Sequence, residues 1–127
     1  MVGRALRAAR AIPELVREGT RAMEDLNLRY SARQRAGGTR RMAIVGVVAS
    51  GNLEVLAERV LPDAECLLEI RTAADGFGDV WNAVAADFVE RSSPGGLKFS
   101  INDGGAHPDT VSLRLSQAVR LMQEDDR

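Results

Sequence analysis

The chain holds a single cysteine, Cys66, and a single histidine, His107. An internal disulfide framework, a Cys-only zinc site and a His cluster are therefore excluded, and no metal is expected. Ser50 and His107, with Asp103 or Asp109 as orienter, have the residue types of a nucleophile–base pair. Nothing in their spacing demands that arrangement, and His107 before Pro108 reads as an exposed turn residue. Cys66 opens a run of apolar residues and reads as a small core residue rather than a reactive thiolate. Gly104-Gly105 lacks any Walker-type or dinucleotide pattern, so Asn102-Asp103-Gly104-Gly105 reads as turn chemistry. No catalytic residue is expected. Ser50 stands apart because of its setting. Ala49-Ser50-Gly51-Asn52 lies between two β-branched runs, so the hydroxyl belongs at a hairpin tip. The small neighbours Ala49 and Gly51 leave room for a bulky group to approach and be attached. On spacing alone, an ordinary Ser-Gly turn is the simpler reading.

The elements around this tip read as β. The runs AIVGVV (43–48) and LEVLAERV (53–60) form the hairpin, with Leu53, Val55 and Ala57 on one face and Glu54 and Glu58 on the other. CLLEIRT (66–72) is a third strand. Asp79 is the expected N-cap of an amphipathic helix over 79–91, on which Val80, Trp81, Val84, Ala85, Phe88 and Val89 recur at helical spacing. Ser92-Ser93-Pro94-Gly95-Gly96 stops it. Leu97, Phe99 and Ile101 alternate with Lys98, Ser100 and Asn102 as a half-buried strand. Val111, Leu113 and Leu115 alternate likewise and predict its partner across the 103–109 loop, followed by a short terminal helix. The expected fold is a small α+β domain, β-β-β-α-β-β-α, with an antiparallel sheet.

Charge divides the chain. Residues 1–41 carry ten arginines against Glu14, Glu18, Glu24 and Asp25, a net of +6, while 42–127 carry seven basic and fourteen acidic side chains, a net of −7. The asymmetry predicts a basic, partly helical N-terminal arm with a linker over 1–41 and a domain over 42–127. Within the arm, apolar residues over 2–30 fall at loosely helical spacing, Pro13 breaks the run, and SARQRAGGTRR (31–41) reads as the linker. The arm reads as a loosely folded extension, with Met42 as an alternative start. No apolar run approaches the roughly 20 residues that span a bilayer, so no membrane partner is expected. No aromatic pair interleaves with basic residues on a strand, and the net charge near zero gives no global pull toward nucleic acid.

The run VGVVASGNLEVL (45–56) resembles the modification segment of the malonate decarboxylase acyl carrier, or delta, subunit family. The similarity continues through Trp81 and Phe88, INDGGAHPDTV (101–111) and VSLRLSQ (111–117), and so covers about residues 43–122 in order. The resemblance implies a non-catalytic carrier. Its serine, here Ser50, bears a phosphodiester-linked 2'-(5''-phosphoribosyl)-3'-dephospho-CoA whose thiol carries acetyl and malonyl groups as thioesters. Ala49, Gly51 and Asn52 then flank the attachment point as recognition residues. Asn52 stands where the family usually has an acid, and Ala49 where it often has glycine. The implied partners are the acyl transferase and decarboxylase subunits and the prosthetic-group transferase, in the cytoplasm. Two alternatives stay open, a citrate lyase-type acyl carrier and a small β-rich interaction module without a prosthetic group.

Overall fold

The structure, a computed structural model, describes residues 9–14 and 23–125. In chain order the elements are β1 (Ala9–Glu14), β2 (Met23–Ser31), β3 (Met42–Gly46), β4 (Leu53–Arg59), β5 (Glu65–Thr72), α1 (Gly78–Ser92), β6 (Leu97–Asp103) and α2 (Pro108–Met122). The strands form one six-stranded sheet in the order β1-β2-β5-β6-β4-β3. The α+β class holds. The sheet is mixed rather than antiparallel throughout, because β5 and β6 run parallel with α1 as the crossover between them. A parallel pair cannot be joined by a tight turn, and the helix supplies the return path.

Period-two alternation sets the inner face of the sheet. Leu26, Leu28 and Tyr30 of β2, Leu53, Val55 and Ala57 of β4, Cys66, Leu68 and Ile70 of β5, and Leu97, Phe99 and Ile101 of β6 are all buried. α1 and α2 cover this face, with α2 over β3 and β4 and α1 reaching β2. Phe88 of α1 meets Phe99 of β6 edge to face, ring centroids 5.4 Å apart at 85°, the geometry that the aromatic quadrupole favours. The opposite face carries ion pairs such as Arg71–Asp25 and Lys98–Glu69, and at the β3–β4 edge the apolar cross-strand pair Ile44 and Leu56.

Further expectations need correction. The expected partly helical arm contains strands: β1 and β2 pair antiparallel, and β2 pairs with β5 from Glu24↔Thr72 to Ser31↔Glu65. The alternation of Leu26, Leu28 and Tyr30 with Asn27 and Arg29 outweighs the loose helical spacing. Pro13 is tolerated because β1 is an edge strand, where a missing N–H can face solvent. The parts of the expected helix at 2–8 and 15–22 lie outside the described residues. Sheet and core run across residue 42 without a break, since β2, Ala32 and Ala36 are buried with the rest. A chain starting at Met42 would lack β2.

The expected strand over 111–117 is instead the middle of α2. Val111, Leu115, Ala118, Val119 and Met122 are its buried residues, a helical stripe, whereas Leu113 is 52% exposed. Pro108 sits in the first turn of the helix, where a missing N–H costs nothing. At the start of α1 the N-cap is Phe77 rather than Asp79, which lies in the first turn.

Candidate functional site

β3 and β4 pair antiparallel from Met42↔Glu58 to Gly46↔Glu54. β3 ends at Gly46, two residues sooner than the β-branched run suggests, so Val47 and Val48 leave the sheet and are more than half exposed. The connection then turns at 49–52, closed by the Asn52 N–H donating to the Ala49 carbonyl at 2.9 Å. Gly51 takes φ +75°, the left-handed region where a side chain is strained. Ser50 is exposed on this turn, and its hydroxyl makes no hydrogen bond among the described residues.

The tip is exposed but braced. The Gly51 N–H donates to the Gly104 carbonyl at 3.1 Å, and the Gly104 N–H donates to the Asn52 carbonyl at 2.8 Å. Gly104 is required here by close approach, because a Cβ on it would lie 2.2 Å from the Ala49 carbonyl oxygen. Asp103 in turn holds the 103–106 loop. It is 5% exposed, and its carboxylate accepts from the Thr72 hydroxyl at 2.8 Å and from the Ala106 N–H at 2.9 Å. A buried carboxylate satisfied at both oxygens is a rigid anchor for the loop. On the other side, Asn52 Oδ1 accepts from the Leu53 N–H at 2.8 Å and from Arg114 Nε at 3.3 Å.

His107 is exposed as the N-cap of α2, and no hydrogen bond joins it to Ser50. Asp103 is committed to its own loop. Cys66 is fully buried in β5, and burial pushes its thiol up to about 12 from the usual 9.0. The structure therefore brings Ala49, Ser50, Gly51 and Asn52 together at one tip and does not join Ser50 to a base. What this geometry can do is present a primary hydroxyl. The backbone around it is fixed from two other elements, and nothing lies within 4 Å of where a Gly51 Cβ would point.

Beyond the tip, a cavity of about 290 Å³ opens where β5 and β6 end, walled chiefly by Phe77, Val80, Trp81, Val84, Ala106 and Val111. It shares the 103–106 loop with the tip.

Sequence reasoning missed Gly104 and Arg114 as parts of this site. The sequence marks Gly104 only as part of a turn, and singles out nothing at Arg114, which lies in the run 111–117 expected to be a strand. The one signal for Arg114 was the buried stripe of α2, which places residue 114 toward the β3–β4 hairpin rather than on a sheet face.

The sequence profile of the malonate decarboxylase delta subunit (MdcD) matches residues 40–122. The malonate decarboxylase acyl carrier protein of Bradyrhizobium diazoefficiens is 74% identical over 103 residues, covering 81% of this chain and 98% of that protein. The malonate decarboxylase acyl carrier protein of Xanthomonas campestris pv. campestris is 51% identical over 104 residues, covering 82% of this chain and 99% of its own. A chain in the crystal structure of a Pseudomonas malonate decarboxylase hetero-tetramer in complex with malonate superposes with a TM-score of 0.69 at 31% identity, covering 78% of this chain and 98% of that one.

Proposed function

Because the chain belongs to the malonate decarboxylase delta-subunit family, the acyl carrier proteins of that enzyme, we propose that it carries its acyl group on an arm attached at Ser50. The observation that supports this reading most directly is the tip itself, an exposed, unbonded hydroxyl on a turn braced by Gly104 and Asn52. A group joined there meets no neighbour across Gly51 and need not displace an existing hydrogen bond. The group is 2'-(5''-phosphoribosyl)-3'-dephospho-CoA, joined through a phosphodiester, and its terminal thiol supplies the thioester chemistry. The protein's own part is presentation: Ser50 anchors the arm, and the rigid base keeps the point of departure fixed. Tethering the acyl group raises its effective concentration at each partner site, so successive transfers become local encounters.

In this reading the chain is non-catalytic. Its partners are the acyl transferase and decarboxylase subunits and the transferase that installs the arm, and it works with them in the cytoplasm. No described helix is long and apolar enough to cross a membrane. Residues 23–122 together form the carrier unit, since β2 pairs with β5 in the sheet on which the β3–β4 hairpin is built. The test is reconstitution of the malonate decarboxylase complex with this chain, comparing wild type with Ser50→Ala. Malonate-dependent release of carbon dioxide should be present with wild type and absent with the variant. Equal activity of the two would leave a β-rich interaction module as the better reading.

A further inference from the structure

Among the described arginines most have a clear occupation. Arg29, Arg33, Arg40, Arg71 and Arg91 pair with carboxylates, and Arg59 donates to the carbonyls of Ala36, Gly37, Arg40 and Met122. Arg114 differs. It is half-buried beside the hairpin, and its hydrogen-bond acceptors are two neutral side-chain oxygens, Asn52 Oδ1 at 3.3 Å from Nε and Gln117 Oε1 at 3.0 Å from Nη1. No carboxylate lies within ion-pair distance of it among the described residues.

We propose that Arg114 binds the phosphodiester anion formed on Ser50, as the counter-charge that holds the root of the prosthetic arm. This rests on the reading of Ser50 as the attachment point. The position of the guanidinium supports it. The side chain crosses Gly46, with Cδ and Nε each 3.3 Å from where a Gly46 Cβ would sit. It then reaches Asn52, whose N–H closes the turn carrying Ser50. The cation thus stands at the foot of the tip.

The charge balance points the same way. Asn52 and Gln117 satisfy two of the five guanidinium donors but neutralise none of its charge. A phosphodiester brings one negative charge and two free oxygens, which the planar fork of arginine can take in paired, charge-assisted hydrogen bonds. In a half-buried site this attraction is screened less than between exposed groups. The consequence for the carrier is orientation: the first atoms of a long, flexible arm are held to one side of the tip, over α2. Arg114 is a positioning residue, and it takes no part in chemistry at the thioester.

The test compares the unmodified full-length chain with the same chain modified on Ser50, each confirmed by intact mass. In wild type, the Arg114 side-chain Nε–H resonance should move on modification; it is assigned by its loss from the unmodified Arg114→Gln spectrum. In the modified proteins, the phosphodiester 31P resonance should shift in Arg114→Gln and stay near its wild-type position in Arg114→Lys. Modification should raise the wild-type Tm by about 4 °C, less at high salt, and should not raise that of Arg114→Gln.

An Arg114 resonance unmoved by modification overturns the proposal even where the variants fold or load poorly. So does a loss of Tm in Arg114→Gln that is equal in the unmodified and modified forms, which would make Arg114 a brace for Asn52 alone. A wild-type chain that gains no mass at Ser50 under loading conditions overturns the attachment reading itself, and this inference with it.

Discussion

The connections at 32–41 and 47–52 are both glycine-containing links into strands of the same hairpin, yet they are built for opposite ends. The first is held along its length. Ala32 and Ala36 are buried, Arg59 donates to three of its carbonyls at 2.8–3.0 Å, and the Thr39 and Arg40 N–H groups both donate to the Glu124 carbonyl. A Cβ on Gly38 would lie 2.3 Å from the Gln123 backbone. The second is held only at its base, by Gly104 and Asn52, and its side chains at Val47, Val48 and Ser50 face outward. Nothing lies within 4 Å of a Cβ on Gly51. One link is thus a structural joint and the other a presenting tip, although both carry glycine. The difference lies in what other elements bring to each loop.

The comparison breaks most visibly at Arg59. Its guanidinium also donates to the Met122 carbonyl at the end of α2, at 2.7 Å, where a cation suits the helix dipole. Arg59→Met leaves several backbone carbonyls without their donor, and should cost about 2–4 kcal/mol in denaturant unfolding. Gly104→Val tests the tip. Its new Cβ must displace the Ala49 carbonyl, so we expect a loss of about 1–3 kcal/mol together with slower loading of Ser50. A variant that loads at the wild-type rate would show that the brace does not matter to the tip.

The closed side can be sharpened with pH. Tyr30, at the end of β2, stands directly across from Cys66 of β5. Burial raises the thiol to about 12, and burial together with the thiol raises the Tyr30 hydroxyl above its usual range. Both groups are held neutral in the folded chain and ionise more readily once unfolded. Their contribution is therefore complete below about pH 9 and is lost as pH rises from 9 toward 12, the unfolded state shedding protons first. Between pH 8 and 10 the loss should be about 2 kcal/mol. Cys66→Ala should flatten that slope, and the thiol of the folded wild type should resist alkylation at pH 8.

Much of this architecture is legible in the residues. β4, β5 and β6 follow from clean alternation, α1 from its stripe and the Ser-Ser-Pro-Gly-Gly stop, and the turn at 49–52 from Gly51. The fold class follows from those elements. β2 escapes because Leu26, Leu28 and Tyr30 acquire their meaning from β5, some forty residues away, and because the arginines of 1–41 suggest a solvated arm. α2 escapes because Val111, Leu113 and Leu115 alternate over the short span where a strand and a helix share a pattern. Only the exposure of Leu113 separates them. The tip is local and could be read from its own turn residues. Its supports could not, since Gly104 and Arg114 come from a loop and a helix that tertiary packing brings to it.

The open side is tested by removing the one atom for which it exists. Ser50→Ala should leave unfolding stability within about 0.5 kcal/mol of wild type, as an exposed, unbonded hydroxyl contributes nothing to the core. The decisive measurement is the intact mass of both proteins purified from cells growing on malonate with the partner subunits present. The account predicts a mass increment matching phosphoribosyl-dephospho-CoA on the wild type and none on a folded Ser50→Ala. An unmodified wild type, or an increment that survives in Ser50→Ala, would contradict it.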